Sequence, residues 1–186
     1  MTAPVCYQID AKLSQLTVHA FASGLAAVVA HNPKFAIRDF SGDARFTPGT
    51  LGNASIRLRI KSSSLDLMDE VSEYDRREIG RVTFDEVLET KRFPEIAYES
   101  KHVTATQLGE NLYATNITGD LALHGITNRV DFPAQVVVGE DTLRGYGNFS
   151  VKQTEFGISV ASVAGGTLKM KDELKIAFFI VAKKQG

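Results

Sequence analysis

Hydrophobic residues recur at every second position through much of the chain. Ile56, Leu58 and Ile60 alternate with Arg57, Arg59 and Lys61, the pattern of a strand with one face buried and a charged face in water. Val130, Phe132, Ala134, Val136 and Val138 form a second run of this kind, and Leu174, Ile176, Phe178 and Ile180 a third. Weaker alternation covers 13–21, 35–46, 94–105, 112–123 and 143–151. Turn residues separate several of these runs: Gly109 lies within 108–111, and 139–141 is a short polar hairpin candidate. Strands over 112–123, 126–138 and 142–152 therefore follow one another through very short connections. Such connections join antiparallel neighbours, because parallel ones need long crossovers.

The segment 66–90 departs from this pattern. It is poor in strand signals and rich in helix formers. Ser72 followed by Asp75 resembles a capping box, and Thr83 followed by Glu86 repeats it. Gly80, between them, suits the end of a first helix. The pattern predicts two short helices, 72–79 and 84–89, with Glu73 and Arg77 as an i,i+4 pair on the first. One or two further helical turns are predicted over 24–30. About eight long antiparallel strands in sequence make a meander, which loses its free edges most simply by closing into a barrel. The predicted fold class is all-β: an antiparallel β-barrel with a short helical insertion. A barrel of about eight strands has room inside for side chains or for one small apolar ligand.

The length, 186 residues, corresponds to about one domain. With no repeat, linker or low-complexity tract in view, the whole of 1–186 reads as one unit. Apolar residues are 44% and charged residues 23%, which is globular and not disordered. Lys plus Arg is 21 against 22 for Asp plus Glu, a balance that argues against a general nucleic-acid binder and gives no polybasic membrane anchor. Cys6 is the single cysteine, so an internal disulfide and cysteine-based zinc sites are excluded. Pairing of Cys6 between chains would make a homodimer, but a bystander thiol is the plainer reading. Residues 1–10 lack a basic segment followed by an apolar one. The longest apolar stretch, 20–30, is interrupted by Ser23 and Gly24 and is too short to span a bilayer. These features predict a cytoplasmic protein, or a periplasmic one if a signal peptide has been removed.

Signatures of catalysis are sparse. Gly145-Tyr146-Gly147 lies within a predicted strand and lacks the remainder of a phosphate-binding fingerprint. No nucleophile elbow is present. Ser62, Ser63 and Ser64 read as a strand end and turn. His19, His31, His102 and His124 share no metal-type spacing. His31-Asn32-Pro33 reads first as a corner, with Pro33 forcing an extended path, although His31 is placed where it could reach a ligand. Asp75-Arg76-Arg77-Glu78 is read as a solvated helix face. The competing reading turns one arginine inward to chelate an anionic head group. Phenylalanine is the commonest aromatic, with eleven copies. Phe35, Phe93, Phe132, Phe149, Phe156 and Phe178 fall on or beside different strands, which suits either a filled core or the wall of an apolar pocket.

Several segments, in order, resemble the YceI-like family, also described as a polyisoprenoid-binding, lipocalin-like domain. They begin with Tyr7-Gln8-Ile9-Asp10 and the strand from Leu13 to Phe21. Gly24 to His31-Asn32-Pro33, Phe40-Ser41-Gly42 and the corner Ile60-Lys61-Ser62-Ser63-Ser64-Leu65 follow. After the helical insertion come Phe93-Pro94-Glu95-Ile96-Ala97-Tyr98-Glu99-Ser100 and the strongest match, Ile117-Thr118-Gly119-Asp120-Leu121-Ala122-Leu123-His124-Gly125-Ile126-Thr127. Phe149-Ser150-Val151-Lys152-Gln153-Thr154-Glu155-Phe156-Gly157-Ile158 resembles the segment before the last strands. Where the family usually carries an arginine ahead of Phe-Gly-Ile, this chain has Lys152 or Gln153.

The resemblance implies an extended antiparallel, lipocalin-like β-barrel around an elongated apolar channel that binds a long isoprenoid, quinone-like or fatty chain without catalysis, for carriage or storage. The partner so implied is a long-chain apolar or amphiphilic small molecule, with no nucleic acid, and with transient membrane contact and a homodimer left open. No cofactor, metal or catalytic residue is assigned. The wall residues expected are Phe35, Ile37, Tyr98, Leu121, Leu123, Phe149, Phe156 and Phe178. The head group is expected near His31, Tyr74, Arg76 and Arg77, the hydrogen-bonding residues of the least strand-like parts of the chain. Two rival readings are an enzyme using His31 with charged residues of 66–90, and an interaction protein whose barrel is filled by its own side chains.

Overall fold

Alternation along the chain becomes fourteen strands in a computed structural model that describes residues 3–23, 32–49, 51–160, 162–163 and 168–186. They are β1 (Val5–Ile9), β2 (Gln15–His19), β3 (Ala22–Ser23), β4 (Lys34–Ile37), β5 (Phe40–Thr47), β6 (Gly52–Lys61), β7 (Leu65–Leu67), β8 (Glu95–Gln107), β9 (Leu112–Leu123), β10 (Ile126–Val138), β11 (Thr142–Lys152), β12 (Ser162–Val163), β13 (Leu168–Met170) and β14 (Glu173–Lys184). One helix, α1 (Glu73–Arg81), lies between β7 and β8.

The main sheet closes on itself in the order β1-β5-β6-β8-β9-β10-β11-β14, with β14 returning to β1. Every pairing is antiparallel, and the ring is a closed barrel of eight strands. Three of the eight staves are bent. β1 and β2 both pair with β14, through Tyr7↔Lys184 and Leu16↔Phe178. β4 pairs with β2 where β5 pairs with β1, and β7 pairs with β4 where β6 pairs with β5. Local hydrogen bonds make the first bend. Asp10 Oδ1 accepts from the Lys12 amide at 3.0 Å, and Ser14 Oγ accepts from the Val181 amide of β14 at 2.9 Å. The donors freed by the bend are thus satisfied. β9 and β10 are joined by His124 and Gly125, with φ of 53° and 76°. Two residues with positive φ make the tight hairpin turn whose twist matches that of the strands.

The insertion is one continuous helical run, not two helices broken at Gly80. Ser72 caps it as expected: its Oγ accepts from the Asp75 amide at 3.1 Å and donates to Asp75 Oδ2 at 2.6 Å. Gly80 sits inside α1 and does not take the left-handed conformation that ends a helix. Thr83 is not a cap. Its carbonyl accepts from the Leu88 amide at 2.9 Å, in a π-helical stretch (Val82–Val87) that follows directly on α1. Arg81, not Arg77, makes the ion pair, reaching Glu78 at 2.6 Å. The turns expected over 24–30 fall outside the described residues. Among the described residues, no helix is long and apolar enough to cross a membrane.

Inward positions of the ring form the core. At one end Tyr7, Phe46, Leu51, Tyr113 and Ala182 pack together, with the Tyr7 and Phe46 rings stacked at 5.3 Å. At mid-height Tyr98, Phe132, Phe149 and Phe178 meet, Phe132 stacking on Phe149 at 4.6 Å. Tyr98 reaches its place by lying over Gly119. A Cβ added at Gly119 would collide with the Tyr98 ring and stand 2.6 Å from the Glu99 carbonyl oxygen.

Gly119→Ala should therefore destabilise the barrel by about 1–3 kcal/mol in urea unfolding. Gly109→Ala is the control, since its nearest new contact is 3.8 Å away. That variant should change stability by less than about 0.5 kcal/mol.

Candidate functional site

The ring encloses more space than its side chains occupy. A cavity of about 660 Å³ runs from the floor formed by the Tyr7–Tyr113 cluster to the underside of the helical insertion. That volume lies within the range of roughly 300–1,000 Å³ usual for small-molecule sites. Its wall is drawn from every stave: Leu16 and Val18 of β2, Phe35 and Ile37 of β4, Leu58 and Ile60 of β6, Tyr98 of β8, Ile117 and Leu121 of β9, Phe132 of β10, Phe149 of β11 and Phe178 of β14, among others. Ile79, Val82, Val87 and Leu88 of the insertion form the roof.

Polar groups on the wall are few. Among the described residues they are Asp75, Glu78, Thr83, Tyr98 and Gln153. Four already hold partners. Asp75 is bonded to Ser72, Glu78 to Arg81, Gln153 Nε2 donates to the Lys171 carbonyl at 3.0 Å, and the Tyr98 hydroxyl points to the Val130 carbonyl at 3.4 Å. Burial, with the nearby charges of Asp131 and Asp120, raises the Tyr98 hydroxyl far above the ordinary phenol range, so it stays neutral. The hydrogen bonds and charge of Arg81 hold the Glu78 carboxyl below its ordinary range. Among the described residues the wall at the mouth thus carries the carboxylates Asp75 and Glu78, the latter paired with Arg81, and no cation.

The roof is fastened at both ends. Arg76 donates from Nη1 to the Leu67 carbonyl at 2.7 Å and from Nη2 to the Asp69 carbonyl at 2.9 Å, tying α1 to β7. After the π-helical stretch, Glu89 Oε2 meets His124 Nε2 at 2.6 Å, while His124 Nδ1 lies 3.2 Å from the Phe156 carbonyl oxygen. The His124 ring also rests on Phe93, centroid to centroid 4.4 Å. The 3-10 turn Gln153–Phe156 is held in turn by Asp172. Its Oδ1 accepts from the Thr154 amide at 2.8 Å and its Oδ2 from Thr154 Oγ1 at 2.6 Å.

Of the wall residues expected, Phe35, Ile37, Tyr98, Leu121, Leu123, Phe149 and Phe178 line the cavity. Phe156 does not. It is 1% exposed and packs behind the wall with Leu123, Val151 and Ile158, because it sits in the 3-10 turn and not on a strand. The described members of the expected head-group cluster stand off the cavity. Tyr74 is 77% exposed, Arg77 is exposed, and the Arg76 guanidinium is spent on backbone carbonyls. None of the three lines the cavity. His31 lies outside the described residues. Reasoning from the sequence also missed Asp75 and Glu78 as wall residues, and it gave His124 no role. A signal for the pair existed in their spacing, with Asp75, Glu78, Ile79 and Val82 on one helical face.

A closed antiparallel barrel around one apolar cavity, roofed by a helical insertion, defines a lipocalin-like binding fold. The chain belongs to the YceI-like family, whose model matches residues 7–182. A search of the curated proteins gave no match. Among solved structures the chain is similar to BcnA of Burkholderia cenocepacia (TM-score 0.70, 21% identity, 94% of this chain and 99% of that one). It is also similar to a polyisoprenoid binding domain from Saccharophagus degradans implicated in plant cell wall breakdown (TM-score 0.68, 16% identity, 96% and 98%). The YceI protein of Campylobacter jejuni is a third (TM-score 0.64, 15% identity, 84% and 88%).

Acid should loosen the turn at the mouth. The hydrogen bonds from Thr154 hold the Asp172 carboxyl below its ordinary value, so its contribution is complete above the unfolded value of about 3.9 and is lost as pH falls through the folded one. Asp10 and Glu78 are lowered in the same direction. The melting temperature should stay level from neutral pH to about 5 and then drop. Asp172→Asn should lower it at neutral pH and flatten the acid limb, as read by calorimetry.

Proposed function

We propose that this protein binds a long apolar chain, isoprenoid, quinone-like or fatty, inside the barrel and carries or stores it without catalysing its conversion. The observation that carries the reading is the apolar cavity between the packed Tyr7–Tyr113 cluster and the helical insertion. A barrel filled by its own side chains would have no such space. Burial of a chain there releases about 0.8 kcal/mol per CH₂, so a long tail supplies the affinity and few polar contacts are needed. The relative from Saccharophagus degradans, described as a polyisoprenoid binding domain, supports the same class of ligand. The polar groups of the wall support binding over chemistry: Asp75, Glu78, Tyr98 and Gln153 are each engaged with protein partners.

The mouth also bears on the head group. Asp75 and Glu78 line the cavity, no cation does so among the described residues, and the nearby Arg81 is already paired with Glu78 and Glu86, so an anion would meet carboxylates first. The ligand is therefore proposed to end in a neutral oxygen function such as an alcohol, phenol or quinone.

Two measurements test this reading. Mass spectrometry of an organic extract of the purified protein should find a long-chain apolar species. A protein that yields none and takes up no farnesol would overturn the proposal. In calorimetric titrations at neutral pH farnesol should bind at least about tenfold tighter than farnesyl phosphate, whose monoester places close to two negative charges beside carboxylates. The reverse order would return the head group to the arginines of α1.

A further inference from the structure

Three glycines of β9 and β11 stand on the inner side of the barrel, and they are not equivalent. Gly119 lies under the Tyr98 ring. Gly147, paired with Phe178 of β14, lies under the Phe178 ring, whose Cζ would be 2.9 Å from an added Cβ. Both therefore serve the packing of the aromatic waist. Gly145 lines the cavity, yet a Cβ built on it would meet nothing within 4 Å. Its cross-strand partners are Val136 and Ile180, and its φ is not in the left-handed region. The backbone thus does not need glycine there. Open space is what the glycine supplies.

The place of this space along the cavity is informative. The next inward residue toward the floor is Leu143, paired with Ala182, which belongs to the floor cluster. The next inward residue toward the mouth is Gly147, covered by Phe178. Ala44 and Ala182 also line the cavity, so small side chains gather beyond the waist. A chain entering beneath the helical insertion reaches this recess only after passing Tyr98, Phe132, Phe149 and Phe178.

We infer that Gly145 sets the length of the chain that the cavity accepts, the terminal unit of the apolar tail lying in the recess above it. The inference rests on the carrier reading proposed above and adds a specificity-determining position to it. A leucine at this position would place an isobutyl group where the last isoprene unit of the tail otherwise lies. Longer tails would then lose burial at their far end, while shorter ones would not reach the substitution.

The test titrates wild-type protein, Gly145→Ala and Gly145→Leu with prenols that differ by one isoprene unit: geraniol, farnesol and geranylgeraniol. In wild-type protein, affinity should rise along the series until the recess is filled. In Gly145→Leu that rise should stop one isoprene unit earlier, with the longest well-bound prenol weakened at least about tenfold and shorter ones within about twofold. Gly145→Ala should fall between. Ligand-free Gly145→Leu should melt at or above the wild-type temperature, because the side chain fills existing space. Normal binding by wild-type protein, with the same length dependence or a uniform loss in Gly145→Leu, would overturn the inference and leave the carrier reading intact. A fall in the ligand-free melting temperature of several degrees would also overturn it, since the recess would then already be occupied. Failure of wild-type protein to bind any prenol would instead overturn the carrier reading.

Discussion

Hydrogen bonding between β1 and β14 closes the ring at eight strands, and ring size governs how much interior the inward side chains must fill. An eight-stranded ring is wide enough that ordinary side chains just fill it. Here the inward set includes Gly119, Gly145, Gly147, Ala44, Ala134 and Ala182. Two of these glycines are roofed by aromatic rings, and the remaining deficit is the cavity. The apolar space thus follows from a mismatch between a fixed circumference and small residues at particular registers. It does not require strain or buried charge, and among the described residues no buried side-chain polar atom lacks a partner.

The insertion between β7 and β8 converts this space from an open cup into a covered one. Its apolar face, Ile79, Val82, Val87 and Leu88, completes the wall. Its polar contacts run sideways: Arg76 to the carbonyls next to β7, and Glu89 to His124 in the β9–β10 turn. The cations of α1 are thereby drawn to the rim and surface, and carboxylates remain on the wall. The cover over the cavity and the charge at its mouth are consequences of the same set of hydrogen bonds.

Legibility in the sequence followed how local the determining interaction was. The bounds of β9, β10 and β11 coincide with the strands expected over 112–123, 126–138 and 142–152, because strict alternation and short turns are written in neighbouring residues. β1 was not marked as a strand of its own, since its five residues are separated from β2 by a bend that depends on Ser14 meeting β14. Gly80 looked like a helix end, but the helix continues through it into the π-helical stretch. Arg76 looked available for a ligand because its partners are backbone carbonyls, which no side-chain pattern reveals. Gly145 and Gly147 are two residues apart and indistinguishable by composition. The Pro133 carbonyl of β10 and the reach of Phe178 from β14 make one filled and the other empty.

Closure between β1 and β14 also has a temporal side. The pairing of Tyr7 with Lys184 joins segments almost the whole chain apart, and topologies dominated by such distant pairings fold over milliseconds to seconds, not microseconds. Until β14 has been synthesised, β1 and β11 each present an unpaired edge, and the inner face of the growing meander lies open to water. Exposed edges and apolar faces of this kind are where chains associate wrongly. The β9–β10–β11 hairpins, linked by tight turns, can assemble from local contacts during that interval, but the enclosure cannot. A ligand that depends on a closed wall can therefore be enclosed only after β14 has joined β1 and β11, and not while the strands are still being made.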